Sequence, residues 1–91
     1  MKYVLFYQPA GDAMERMPAF FPAHSALLGQ FHEQGTLLMT GPFADPVRDG
    51  SMSVFTTREA AERFMAADPF IANGLVASWR LLEWDEAFHQ P

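Results

Sequence analysis

Two polar residues stand where the hydrophobic pattern asks for apolar side chains. His24 lies on the helical line of Phe20, Leu27 and Leu28, and Asp68 lies on that of Ala61, Phe64 and Met65. The chemistry such a pair does is specific. A carboxylate that accepts a hydrogen bond from one imidazole nitrogen fixes the tautomer and raises the basicity of the ring, so that the other nitrogen takes or returns a proton near neutral pH. Each residue also has a plainer use. A histidine on an apolar face is often bonded to a core carbonyl, and Asp68, directly before Pro69, is a good N-cap for the turn Pro69 to Asn73. Tyr7 ends the first strand and offers a phenol to the same cleft, or packs with its tip in water. Arg48 sits in a polar loop, where it reaches an anionic substrate or stays solvated.

No cofactor or metal is expected. There is no cysteine, which excludes a thiolate zinc site, a disulfide and a cysteine nucleophile. His32 falls toward the solvated edge of its helix and His89 in the tail beyond the last strand. His24 and His32 are two helical turns apart, too far to ligate one ion together. Gly41-Pro42 lacks the helix and lysine of a phosphate cradle, and Ser25, Ser51, Ser53 and Ser78 lie in no nucleophile-elbow motif. A small-molecule ligand is the partner these residues suit.

The elements that must position the pair fit one domain, residues 1–91, about half of it apolar at 49%. That apolar fraction excludes disorder, and no apolar run approaches the roughly 18 residues of a membrane span. Met1-Lys2 leads straight into a strand without a cleavage signal, so the expected location is cytoplasmic. A net charge of −5 argues against nucleic acid, whose phosphates call for a basic face.

Lys2 to Gln8 reads as a strand stopped by Pro9 and Gly11, followed by a polar connection from Gly11 to Met17. Pro18 or Pro22 then opens a helix that runs to Gln34 and stops at Gly35. Thr36 to Thr40, closed by Gly41-Pro42, and Ser51 to Thr56 form a hairpin around a long polar loop. Thr56 and Glu59 offer a capping box for a second helix, with Ala60, Ala61, Phe64 and Met65 inward, ending near Asp68. After the turn at Pro69, Leu75 to Trp84 is the last strand. The order β-α-β-β-α-β predicts an α+β, ferredoxin-like fold: a four-stranded antiparallel sheet with two helices on one face. The other face is open. Yet the first and last strands are apolar on both faces, with Tyr3, Leu5 and Tyr7 backed by Val4 and Phe6, and Trp79 and Leu81 by Leu82 and Trp84. Such a face marks an interface, and its simplest cover is a second copy, giving a homodimer with packed sheets.

From Met1 to about Trp84 the chain resembles the YciI-like (YCII-related) domain proteins of the dimeric α+β barrel group. The resemblance rests on Pro22-Ala23-His24 in the first helix, Gly35 before a strand ending Gly41-Pro42, and Asp68-Pro69-Phe70 before Gly74. It implies the ferredoxin-like dimer and assigns His24 and Asp68 to the family's proposed His–Asp pair. Small enzymes of lyase or isomerase type are what it implies for activity. Chemistry in the group includes elimination from chlorinated hydroxyquinone-type rings, and related barrels include lactone isomerases and cofactor-free monooxygenases. A dimeric small-molecule-binding or accessory protein is the alternative. Many members carry a charged residue, often arginine, just before the Pro-x-His segment; here Phe21 stands there, which implies a cleft for a more apolar ligand.

Overall fold

The computed structural model describes residues 1–88. Its elements are β1 (Lys2–Pro9), α1 (Ala13–Glu33), β2 (Leu37–Pro42), α2 (Pro46–Asp49), β3 (Ser51–Phe55), α3 (Arg58–Ala67), α4 (Pro69–Ala72) and β4 (Val76–Trp84). The strands form one antiparallel sheet in the order β2-β3-β1-β4, the ferredoxin-like arrangement, with α1 and α3 on one face. Two single-turn helices, α2 in the hairpin loop and α4 after α3, add to the expected pair. The position expected for His89 lies outside the described residues.

Two helix starts differ from expectation. Helix α1 begins at Ala13, so Pro18 and Pro22 lie inside it, not at its first turn. Each proline removes a hydrogen bond, a loss of about 3 kcal/mol in a helix interior. Both are exposed, so water can reach the carbonyls they leave free. The extra turns are held from the other side: Ala13 is buried with Phe70 and Leu75, and the Arg16 guanidinium donates to the Asn73 carbonyl at 2.6 Å. Helix α3 is capped by Thr57, whose hydroxyl accepts from the Ala60 amide at 3.1 Å. Thr56 cannot serve, because its own amide still extends the sheet by donating to the Thr36 carbonyl at 2.9 Å.

The register sorts the sheet into two unlike faces. Leu5, Tyr7, Leu37 and Phe55 point to the helices and build the core with Phe31, Ala60, Ala61 and Phe64. Opposite them, Val4, Phe6, Met52, Val54, Leu82 and Trp84 form the open face, joined by Met39, which pairs with Val54 past an irregularity in β2. Tyr7 thus belongs to the helix side, with Leu5. On the open face Val4 and Val54 are buried by their neighbours, whereas Met39, Leu82 and Trp84 are 62%, 44% and 49% exposed. Among the described residues, no helix is long and apolar enough to cross a membrane.

Two further contacts position β1. Gly50 has φ +75°, and a Cβ built there would overlap the carbonyl oxygen of Tyr7, so only glycine lets the hairpin loop close against this strand. Beyond β4, the Glu86 carboxylate accepts from the Lys2 ammonium at 3.0 Å and from the N-terminal amine at 3.4 Å. The Lys2 hydrogen bond above all pulls the Glu86 carboxyl down to about 2.

Candidate active site

Asp68 closes α3 and opens α4. Pro69 excludes the helical conformation for the residue before it, and Asp68 accordingly takes ψ 117° between the two helices. Its carboxylate turns back as the α4 N-cap, accepting the Phe70 amide on Oδ1 at 3.0 Å. The plain reading of Asp68 is therefore met. The same oxygen lies 2.8 Å from His24 Nδ1, and the second oxygen accepts the Tyr7 hydroxyl at 2.7 Å. Asp68 is 1% exposed, so a full set of donors is what makes its burial affordable.

The imidazole is fixed in three ways. A carboxylate has no proton to give, so Nδ1–H donates to Asp68, which leaves the lone pair of the neutral ring on Nε2. Phe70 stacks against the ring, with centroids 3.8 Å apart and planes 5° from parallel, and Phe64 meets it edge-on at 6.1 Å. One short segment thus supplies the carboxylate, the amide that orients it and the aromatic plate beneath the imidazole. Nε2 has no hydrogen-bond partner among the described residues, yet it is not sealed from solvent. His24 lines a cavity.

That cavity has a volume of about 320 Å³ and lies between α1 and the sheet. Met14, Met17, Phe21, Leu28, Phe64 and Phe70 are among the residues of its wall. Phe21 stands near His24, with ring centroids 6.4 Å apart, so the cleft is apolar where a charged residue would otherwise approach the imidazole. Asp68 does not line the cavity; it lies behind His24, where it holds the ring without meeting a ligand.

The structure brings His24, Asp68 and Tyr7 together and leaves Arg48 apart. The Tyr7 phenol serves Asp68. Burial first, then the Asp68 charge and hydrogen bond, push it well above the ordinary tyrosine range, so it stays a donor at any physiological pH. Arg48 is exposed, pairs with Asp49 at 2.8 Å and does not line the cavity. His32 is also exposed, its Nδ1 3.0 Å from the Leu37 carbonyl. Among the described residues no cluster of three histidine or acidic side chains is arranged to hold a metal. The sequence reading missed the bond from Tyr7 to Asp68 and the stack of Phe70 on His24. Strand alternation was the available signal for the first, since Tyr7 shares a face with Leu5.

Comparison with known proteins agrees with this architecture. The chain is 34% identical over 85 residues to Protein YciI from Escherichia coli O6:H1 (strain CFT073), covering 82% of this chain and 87% of that protein. Protein YciI from Shigella flexneri matches with the same identity and coverage. Among solved structures, the 5-chloro-2-hydroxyhydroquinone dehydrochlorinase from Burkholderia phenoliruptrix AC1100, in complex with 2,5-dihydroxybenzoquinone, superposes with a TM-score of 0.73 over 96% of both chains. Its sequence identity is 21%, so the likeness is one of fold. The YCII-related domain model matches residues 1–85, and the chain belongs to the YCII-related domain family.

Proposed function

We propose that the protein is a small cytoplasmic enzyme that moves a proton on a small cyclic or aromatic oxygenated compound, with His24 as the general base and acid. One observation carries this reading: a histidine held through Nδ1 by a buried carboxylate, with Nε2 unbonded among the described residues, lines an apolar cavity. Nε2 takes a proton from a ring hydroxyl or an acidic C–H. The imidazolium, paired with Asp68, then returns it elsewhere on the substrate or to a leaving group, which makes the reaction an isomerisation or an elimination. The dehydrochlorinase of like fold supports the second outcome and the ring-sized substrate. Tyr7 acts through Asp68 and is a positioning residue. The imidazole suffices for this proton transfer, so no cofactor enters the proposal.

The working unit is a homodimer joined through the open sheet face. Met39, Leu82 and Trp84 are exposed apolar residues there, beside Arg80 laid over the Phe6 ring, and an obligate interface commonly buries more than about 2,000 Å².

The test is a screen of small lactones and hydroxylated quinones with the purified protein, following proton exchange from deuterated solvent and product formation. His24→Ala is expected to lower turnover at least about 100-fold while the dimer stays folded. Wild-type turnover by His24→Ala would overturn the proposal. A wild-type protein that binds such rings without exchange or product, with His24→Ala altering only thermal stability, would make it a binding module instead.

A further inference from the structure

Strand β3 carries its polarity the wrong way round. Ser51 and Ser53 face the helix-covered cavity, while Met52 and Val54 face the open side of the sheet. Ser53 lies beside Leu5 in the register, in a row that would otherwise be core, and is only 8% exposed. On the neighbouring strand Thr40 repeats the pattern. It pairs with Ser53, and the two hydroxyls are hydrogen-bonded to each other at 2.8 Å. The cavity thus has an apolar wall on the helix side, broken by His24, and a hydroxyl floor on the sheet side. The buried Ser53 hydroxyl in place of an apolar group forgoes hydrophobic contact, Ser51 is half-buried and Thr40 exposed beside it, and a subsite that bonds a ligand would use them.

The same lining sets the ligand's charge. Among the described residues no lysine, arginine or carboxylate lines the cavity, and Tyr7 is committed to Asp68. A carboxylate or phosphate entering here would lose its hydration with only the His24 imidazole, already paired with Asp68, to replace it. Size adds a bound: a cavity of about 150 Å³ holds a benzene, and this one is roughly twice that at about 320 Å³, enough for one substituted ring.

We infer that Thr40, Ser51 and Ser53 form a specificity subsite that binds an oxygen of an uncharged single-ring ligand whose acidic hydroxyl meets His24. The inference rests on the reading of His24 as the base and adds the opposite end of the site. Thr40 and Ser53 use one O–H on each other, which leaves the other O–H and that of Ser51 to donate to a ring oxygen and their lone pairs to accept from a ring hydroxyl, so the floor takes either oxidation level of a dihydroxylated ring. A ring with a single hydroxyl makes no bond to the floor, where Thr40 and Ser53 stay paired with each other, and one bearing a carboxylate is turned away.

Calorimetry with four probes tests this: phenol, resorcinol, hydroquinone and 2,4-dihydroxybenzoate. The better of the two neutral dihydroxy probes is expected to bind the wild type roughly tenfold tighter than phenol, the gain of one hydrogen bond. The benzoate should bind at least tenfold weaker than resorcinol. In the double variant Thr40→Val, Ser53→Ala the dihydroxy probe should fall toward the affinity of phenol, while phenol itself is unmoved. A second hydroxyl that gains nothing on the wild type overturns the inference, as does a benzoate that binds as tightly as resorcinol. An equal loss for phenol and the dihydroxy probe in the variant also overturns it. Should circular dichroism show the double variant unfolded, the wild-type series alone decides. His24→Ala, measured with the same probes, separates the two readings. A retained gain from the second hydroxyl keeps the subsite even if turnover proves independent of His24.

Discussion

Replacing Tyr7 with phenylalanine should weaken the protein at neutral pH and leave it less sensitive to alkali. The ring remains, so no cavity opens; what is lost is the 2.7 Å bond to a buried carboxylate oxygen. A hydrogen bond to a charged group contributes about 1.5–3 kcal/mol, so a loss near 2 kcal/mol is expected, or roughly 8–16 °C in melting temperature for a domain of this size. In the wild type the folded chain holds the phenolic proton well above the ordinary value of 10.0, because the phenol is buried beside Asp68. Above that value the unfolded chain binds fewer protons than the folded one, so stability is full below it and falls as pH rises, by about 1.4 kcal/mol at roughly pH 11. Tyr7→Phe lacks this fall. The gap between the two proteins should narrow to below about 1 kcal/mol at pH 11 and close near pH 11.5. Urea unfolding at neutral pH and at successive alkaline pH values, at one protein concentration, reads the difference directly. Two profiles that run parallel from neutral to alkaline pH would refute the coupling of Tyr7 to Asp68.

Gly50→Ala should destabilise the fold by at least about 2 kcal/mol, since the new Cβ meets the Tyr7 carbonyl and the positive φ is itself unfavourable; thermal melting checks this. Leu82→Glu, with one charge per protomer on the open face, should convert the proposed dimer to monomer in sedimentation velocity. The Glu86 carboxyl should titrate near 2 by carbon-detected NMR. Its contribution is complete above the ordinary carboxylate range and is lost as pH falls through about 2, and Lys2→Ala should move the midpoint up.

The strands were legible because alternation and turn residues are local signals, and the antiparallel order followed from element sequence alone. His24 and Asp68 were each visible as polar interruptions of an apolar stripe. That they touch was not visible from spacing, since 44 residues separate them and the contact depends on how α1 crosses the α3–α4 junction; the family resemblance supplied it. The start of α1 was misread because Pro18 and Pro22 look like first-turn residues, and only tertiary contacts at Ala13 and Arg16 carry the helix past them. The Thr56 cap failed by one residue because the strand keeps hold of the Thr56 amide. The hydroxyl floor was hidden too: Ser-Met-Ser-Val-Phe alternates cleanly, but alternation does not say which face the helices cover.

One oxygen of Asp68 receives both the α4 amide and the imidazole, so the residue serves two masters that selection experiments can separate. In a library sorted only for folded protein, position 68 should tolerate almost nothing, because α4 and its Phe70 depend on it. Position 24 should tolerate more, since Asp68 Oδ1 keeps the Phe70 amide when the imidazole is removed, at the cost of one bond to the buried carboxylate. Intolerance at 68 would then report architecture, and only a library sorted on turnover would restrict 24 as well. The chemistry of this fold would rest on a single replaceable residue seated on an irreplaceable one, which is how a scaffold can keep its shape while its activity is lost and regained.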